Sequence, residues 1–130
     1  MSGYITNRRR FERFALLPMH APLSIRLLSD EKFTLDGHAY DISEGGVQFE
    51  LDRALEPGAG VAIRIDLPEY VTEKIGGPGR SVFAFGNVVW MDDAEAGPVR
   101  MALAFTRFAR EGDRERLFAC FHRGLLSRAA

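Results

Sequence analysis

The feature that most restricts this chain is a two-residue rhythm of apolar side chains, repeated between turn signals. Leu23, Ile25 and Leu27 alternate with Ser24 and Arg26. Val47, Phe49 and Leu51 alternate with Gln48, Glu50 and Asp52, and Val61, Ile63, Ile65 and Leu67 with Ala62, Arg64 and Asp66. Successive side chains of a strand point to opposite faces, so each run can bury one face and wet the other. The breaks carry turn residues: Ser29-Asp30-Glu31, Asp36-Gly37 and Pro57-Gly58-Ala59-Gly60. "SVFAFGNVVW" (81–90) is apolar on both faces and reads as a central, buried strand. After a polar loop from Met91 to Pro98, "VRMALAF" (99–105) reads as the last strand. The period then changes. Leu117, Phe118, Phe121 and Leu125 fall at helical spacing behind Asp113, a candidate N-cap, which predicts a helix over about 113–127. The expectation is a mainly β fold of five to seven antiparallel strands followed by one helix. Strands spaced so evenly favour a small barrel, which leaves no open edge. The excursion from Pro68 to Arg80 is longer than such a barrel needs.

A length of 130 residues fits one domain around a single core. The formal net charge of -1 argues against a nucleic-acid polymer as partner, so any basic function is local. Of 17 basic residues only Lys32 and Lys74 are lysine, and arginine is the fork-shaped donor suited to phosphates and guanine edges. The lone Cys120 excludes an internal disulfide and fits a reducing compartment. No apolar run reaches the ~18 residues of a membrane span. Arg8-Arg9 ahead of Phe11 has the look of a twin-arginine export signal, but Glu12 and Arg13 interrupt the apolar stretch that should follow. Pro18, His20, Pro22 and Arg26 break what remains. A cytoplasmic protein is expected.

Catalytic patterns are missing. There is no Walker loop, no GxGxxG and no CxxC pair, and His20, His38 and His122 are scattered. Cys120 and His122, two apart on a helix, point in different directions and make a poor ligand pair. We expect no catalytic residue, no metal, no cofactor and no enzymatic activity.

Two stretches stand out from this background. "NRRRFERF" (7–14) concentrates arginine in a nearly neutral chain, and "DISEGG" (41–46) lies between strand-like segments. Arg9 and Arg13 fall on one side of the chain whether it is extended or helical, so both can act on one ligand, while Arg10 and Glu12 face elsewhere. Alone, "DISEGG" reads equally well as a hairpin turn in which Asp41 and Ser43 satisfy their own backbone.

Arg8, Arg9 and Arg13 form an RRxxxR pattern, and Asp41, Ser43 and Gly46 a DxSxxG pattern. This ordered pair at the head of a barrel-like sequence resembles the PilZ family of cyclic di-GMP receptors. "GNVVW" and "VRMALAFTRF" resemble that family's last strands. The resemblance implies a six-stranded antiparallel PilZ-type β-barrel with a C-terminal α-helix. Residues 1–14 would be an arginine-rich ligand-binding arm and 15–130 the barrel and helix. It implies cyclic di-GMP binding through Arg8, Arg9, Arg13, Asp41, Ser43 and Gly46. Arg8, a basic residue just before RxxxR, implies two mutually intercalated ligand molecules rather than one. It further implies a stand-alone receptor acting through an unidentified protein partner, in motility, pilus or exopolysaccharide control. The alternative is a protein-interaction adaptor with a PilZ-like barrel that ignores the nucleotide. The chemistry suits the ligand: arginine forks fit phosphate, a carboxylate accepts from the N1–H and N2–H edge of guanine, and Gly46 would let a ligand lie against the backbone. Trp90 offers a further stacking surface, but a tryptophan at a strand end is expected in the core.

Overall fold

A computed structural model of the chain describes residues 14–15, 22–67 and 81–122. Its elements are β1 (Phe14–Ala15), β2 (Pro22–Leu27), β3 (Leu35–Ile42), β4 (Gly46–Leu51), β5 (Gly60–Asp66), β6 (Ser81–Asp92), β7 (Val99–Phe108) and α1 (Asp113–His122). Hydrogen bonds order the strands β1-β3-β2-β5-β6-β7-β4, and a further β3–β4 pairing closes β2 to β7 into a six-stranded barrel. Every pairing is antiparallel. The mainly β architecture with one C-terminal helix is therefore the observed one. The last five residues of the expected helix, 123–127, lie outside the described residues, as do Pro68 to Arg80.

The two-residue rhythm decides which side chains fill the barrel. Leu23, Ile25, Phe49, Ile63, Ile65 and Met101 all point inward and are fully buried. Their polar neighbours Gln48, Glu50 and Arg64 face outward. Three irregularities break the alternation, with Tyr40 as the extra residue in β3, Val89 in β6 and Thr106 in β7.

β6 departs from its expected burial on both faces. Val82, Ala84 and Val88 point into the barrel, but Phe83 and Phe85 lie outside and only half-buried. Among the described residues no second sheet covers them. The Arg110 guanidinium lies 4.6 Å over the Phe83 ring and Arg107 lies 4.2 Å over Phe85, so apolar aromatic faces meet cations instead of a core. The core placement expected for Trp90 is likewise wrong. The bulge at Val89 turns two consecutive side chains outward, leaving Val89 53% and Trp90 41% exposed.

Asp113 begins the helix as expected but does not act as its cap. The first helical hydrogen bond runs from the Arg116 N–H to the Gly112 carbonyl, and Gly112 takes a positive φ of 90°. The Asp113 carboxylate, 1% exposed, instead accepts the Phe83 N–H at 2.9 Å and pairs with Arg110 at 2.9 Å and Arg116 at 3.5 Å. It ties the helix to the start of β6, while Leu117 is buried and Phe118 meets Phe108 edge-on. Asp113→Ala removes the acceptor for two guanidiniums and a buried N–H. It is expected to cost about 3 kcal/mol in urea unfolding, because the Phe83 N–H and the buried Arg116 lose a partner while the Ser81 carbonyl still accepts from both guanidiniums.

Candidate ligand-binding site

The alternation of β3 should place Asp41 on the same face as Ala39, inside the barrel. It does not. Ala39 and Ile42 are both buried although they lie three positions apart, which a regular strand forbids. The register shift between Ala39 and Asp41 resolves this, since Tyr40 is inserted and Asp41 pairs with Gln48. Bulges re-aim side chains, and this one delivers both Tyr40 and Asp41 to the outer surface.

Beyond Asp41 the chain turns through Ser43 to Gly46. The Ser43 N–H donates to the Gly46 carbonyl at 2.9 Å, and the Ser43 hydroxyl accepts the Gly45 N–H at 3.1 Å. The self-satisfied hairpin turn read from "DISEGG" is thus present at Ser43. Gly46 has a structural reason of its own. A Cβ there would lie 2.0 Å from the Leu103 carbonyl oxygen, so glycine is required for β4 to approach β7.

Asp41, Ser43 and Gly46 line one shallow depression of about 150 Å³, together with Gln48 and Ala102. The cross-strand register extends this surface. Asp41 pairs with Gln48, Gln48 with Ala102, and Ala102 with Trp90. A carboxylate and an exposed indole therefore bracket a floor formed by Gln48 and Ala102, roughly 14 Å apart across three strand spacings. On the other side, Ala15 of β1 pairs with Asp41 and Phe14 with Ile42. Arg8, Arg9 and Arg13 lie outside the described residues. Arg13 is bonded directly to Phe14, so its Cα is about 3.8 Å from a residue already seated beside Ile42.

One row further along the sheet, Tyr40 donates its hydroxyl to the Glu50 carboxylate. Burial first, then the bond to Glu50, push the Tyr40 phenol above its ordinary 10.0. The Arg100 guanidinium lies 4.6 Å over the Tyr40 ring. Sequence reasoning missed Tyr40, Gln48 and Arg100. They become neighbours of Asp41 only through the bulge and the strand register, neither of which the alternation shows.

A larger cleft of about 410 Å³ lies across β5, β2 and β3, with Ser24, Asp36, His38, Asp52 and Arg64 in its wall. Arg64 is tied into its wall: it donates to Ser24 at 3.2 Å, and Ser24 donates to Asp36 at 2.7 Å. The surrounding carboxylates would repel an anion. The smaller depression is the better candidate for a phosphate-bearing ligand. Among the described residues no group of His, Cys, Asp and Glu could hold a metal ion, and no helix is long and apolar enough to cross a membrane.

The PilZ domain family matches the sequence over residues 7–123. The chain belongs to the PilZ domain family. The match takes in the "NRRRFERF" stretch, the barrel and the described helix. No curated protein sequence matches the chain at a significant level. Solved structures do. The chain is similar to the inhibitor of motility MotI/DgrA of Bacillus subtilis, with a TM-score of 0.63 and 21% identity over 91% of this chain and 52% of that one. It is similar to the PilZ domain of YcgR from Escherichia coli, solved with c-di-GMP, with a TM-score of 0.58 and 20% identity over 91% of this chain and 94% of that one. It is also similar to MrkH of K. pneumonia, solved as a c-di-GMP complex, with a TM-score of 0.65 and 18% identity over 91% and 52%. The chain spans about half the length of MotI/DgrA and of MrkH. At these identities the likeness carries the PilZ barrel and not its partners.

Proposed function

We propose that this PilZ domain is a receptor for cyclic di-GMP, a binding module rather than an enzyme. The observation that carries the proposal is the convergence of Asp41, Ser43 and Gly46 on one depression, beside the strand that continues from Arg13. Two of the similar structures, the YcgR PilZ domain and MrkH, were solved with c-di-GMP, which supports the choice of ligand. At about 150 Å³ the depression is smaller than the ~300–1,000 Å³ of a pocket that encloses a small molecule. It supplies half of a site, and the arginine arm supplies the other half.

The roles follow from donor and acceptor chemistry. Asp41 accepts the N1–H and N2–H edge of a guanine. Arg9 and Arg13 donate paired hydrogen bonds to phosphate oxygens or to guanine O6 and N7. Ser43 and Gly46 fix the turn that holds Asp41 in place. Arg8 takes a second, intercalated ligand molecule, and Trp90 offers its exposed face to an outer base. Ligand charge neutralises the arm and alters the surface shown to a protein partner, through which a motility, pilus or exopolysaccharide output would run. Isothermal titration with cyclic di-GMP tests this. Micromolar or tighter binding at two ligands per chain is expected. One ligand per chain would remove the role given to Arg8. No heat from a folded protein would leave the adaptor reading in its place.

A further inference from the structure

Five arginines among the described residues lie over aromatic rings: Arg26, Arg100, Arg107, Arg110 and Arg114. Two of them spend their N–H groups locally. Arg26 donates to the Asp30 carbonyl and Arg110 pairs with Asp113. Arg100 differs in its position. It stands on β7 two residues before Ala102, about 7 Å along the strand, and Ala102 forms part of the floor of the depression. Its guanidinium reaches across β4 to lie on the ring of Tyr40, the residue immediately before Asp41. The ring is held in turn by its hydroxyl bond to Glu50. Among the described residues no hydrogen bond or ion pair takes up the Arg100 N–H groups, and the residue is exposed.

A guanidinium held over a ring by cation–π attraction still has N–H donors to offer an anion at the rim of the contact. It is pre-ordered, so less entropy is lost when an anion docks there. We infer that Arg100 is a further ligand contact, donating its paired N–H groups to a phosphate of the cyclic dinucleotide, with Tyr40 as the residue that positions it. The RRxxxR and DxSxxG patterns do not include it. The inference rests on the proposal that the Asp41 depression takes cyclic di-GMP. Arg100 would place a cation on the barrel side of the ligand.

Isothermal titration of cyclic di-GMP into the full chain, at low and at high salt, separates the two claims. Arg100→Gln is expected to bind about ten- to hundred-fold more weakly, the worth of charge-assisted hydrogen bonds, and to lose affinity less steeply as salt is raised. Arg100→Lys keeps the charge without the fork and should fall between wild type and Arg100→Gln. Arg114→Gln removes a guanidinium stacked in the same way on Phe118, on the helix, and should bind as wild type. Arg100→Gln with wild-type affinity and salt dependence would overturn the inference while leaving the receptor proposal standing. So would an Arg114→Gln defect as large as that of Arg100→Gln. A wild-type chain that binds no cyclic di-GMP would overturn both.

Discussion

Gly46→Ala is expected to destabilise the barrel by about 3 kcal/mol, at the upper end of what overpacking usually costs. The added Cβ would sit 2.0 Å from the Leu103 carbonyl oxygen and 3.1 Å from its carbonyl carbon. Both are backbone atoms in the β4–β7 ladder, where Val47 pairs with Leu103 and Gly46 with Ala104. A flexible side-chain tip would give way, but a ladder carbonyl cannot move without parting the strands. β4 also makes the pairing with β3 that closes the barrel, so the strain falls on the closure itself. Gly86→Ala should behave alike, because its Cβ would meet the Ala104 carbonyl oxygen at 2.3 Å. Gly58→Ala is the contrast: φ there is 95° and nothing lies within 4 Å, so only the left-handed backbone penalty of roughly 1 kcal/mol applies. Urea midpoints of the three variants test the ordering. A Gly46→Ala midpoint equal to wild type would mean that β4 and β7 do not approach so closely. This result also bears on the site, since any loss of ligand binding in Gly46→Ala would come first from displaced backbone at Ser43 and Asp41.

Alternation made β2, β4 and β5 legible, because each has one face in the core and one in water. Val47, Phe49 and Leu51 are inside as their spacing says. β6 misled because Phe83 and Phe85 look like core, and sequence spacing cannot show that arginines forty or fewer residues away will cover an outer face. Trp90 misled for a related reason: one inserted residue, Val89, reverses the side on which it emerges. Asp113 was recognisable as a residue at a helix start, yet its acceptors are used by Phe83, thirty residues earlier, and no local pattern reports a bond of that range. The site was legible in part. "DISEGG" marked a turn that is present, and Asp41, Ser43 and Gly46 line one surface. The bulge at Tyr40, which turns Asp41 outward, leaves only a faint trace: Ala39 and Ile42 are both apolar at odd spacing. Gln48 and Arg100 are ordinary polar positions on exposed faces and acquire meaning only from the register.

Arg9→Ala and Arg13→Ala should each weaken cyclic di-GMP binding by about a hundred-fold, and together should abolish it in calorimetry. The magnitude comes from charge-assisted hydrogen bonds, at ~1.5–3 kcal/mol for each interaction and more than one per arginine fork. The placement comes from β1. Phe14 pairs with Ile42, which Asp41 and Ser43 flank in the chain, and Arg13 is bonded to Phe14. An extended chain covers at most ~3.6 Å per residue, so Arg9 lies within about 18 Å of Phe14 along the backbone and its long side chain adds further reach. Arg10→Ala is the internal comparison. Its spacing predicts a side chain facing away from those at positions 9 and 13, so it should bind within about threefold of wild type, the effect of a screened surface charge. Equal losses in Arg9→Ala, Arg10→Ala and Arg13→Ala would point instead to the arm's total charge. Binding would then track net positive charge in each variant and fall steeply with salt in all of them. Retained affinity in the Arg9→Ala, Arg13→Ala double variant would leave the depression as the whole site. Its small volume and single guanine acceptor at Asp41 make that outcome the harder one to reconcile with micromolar binding.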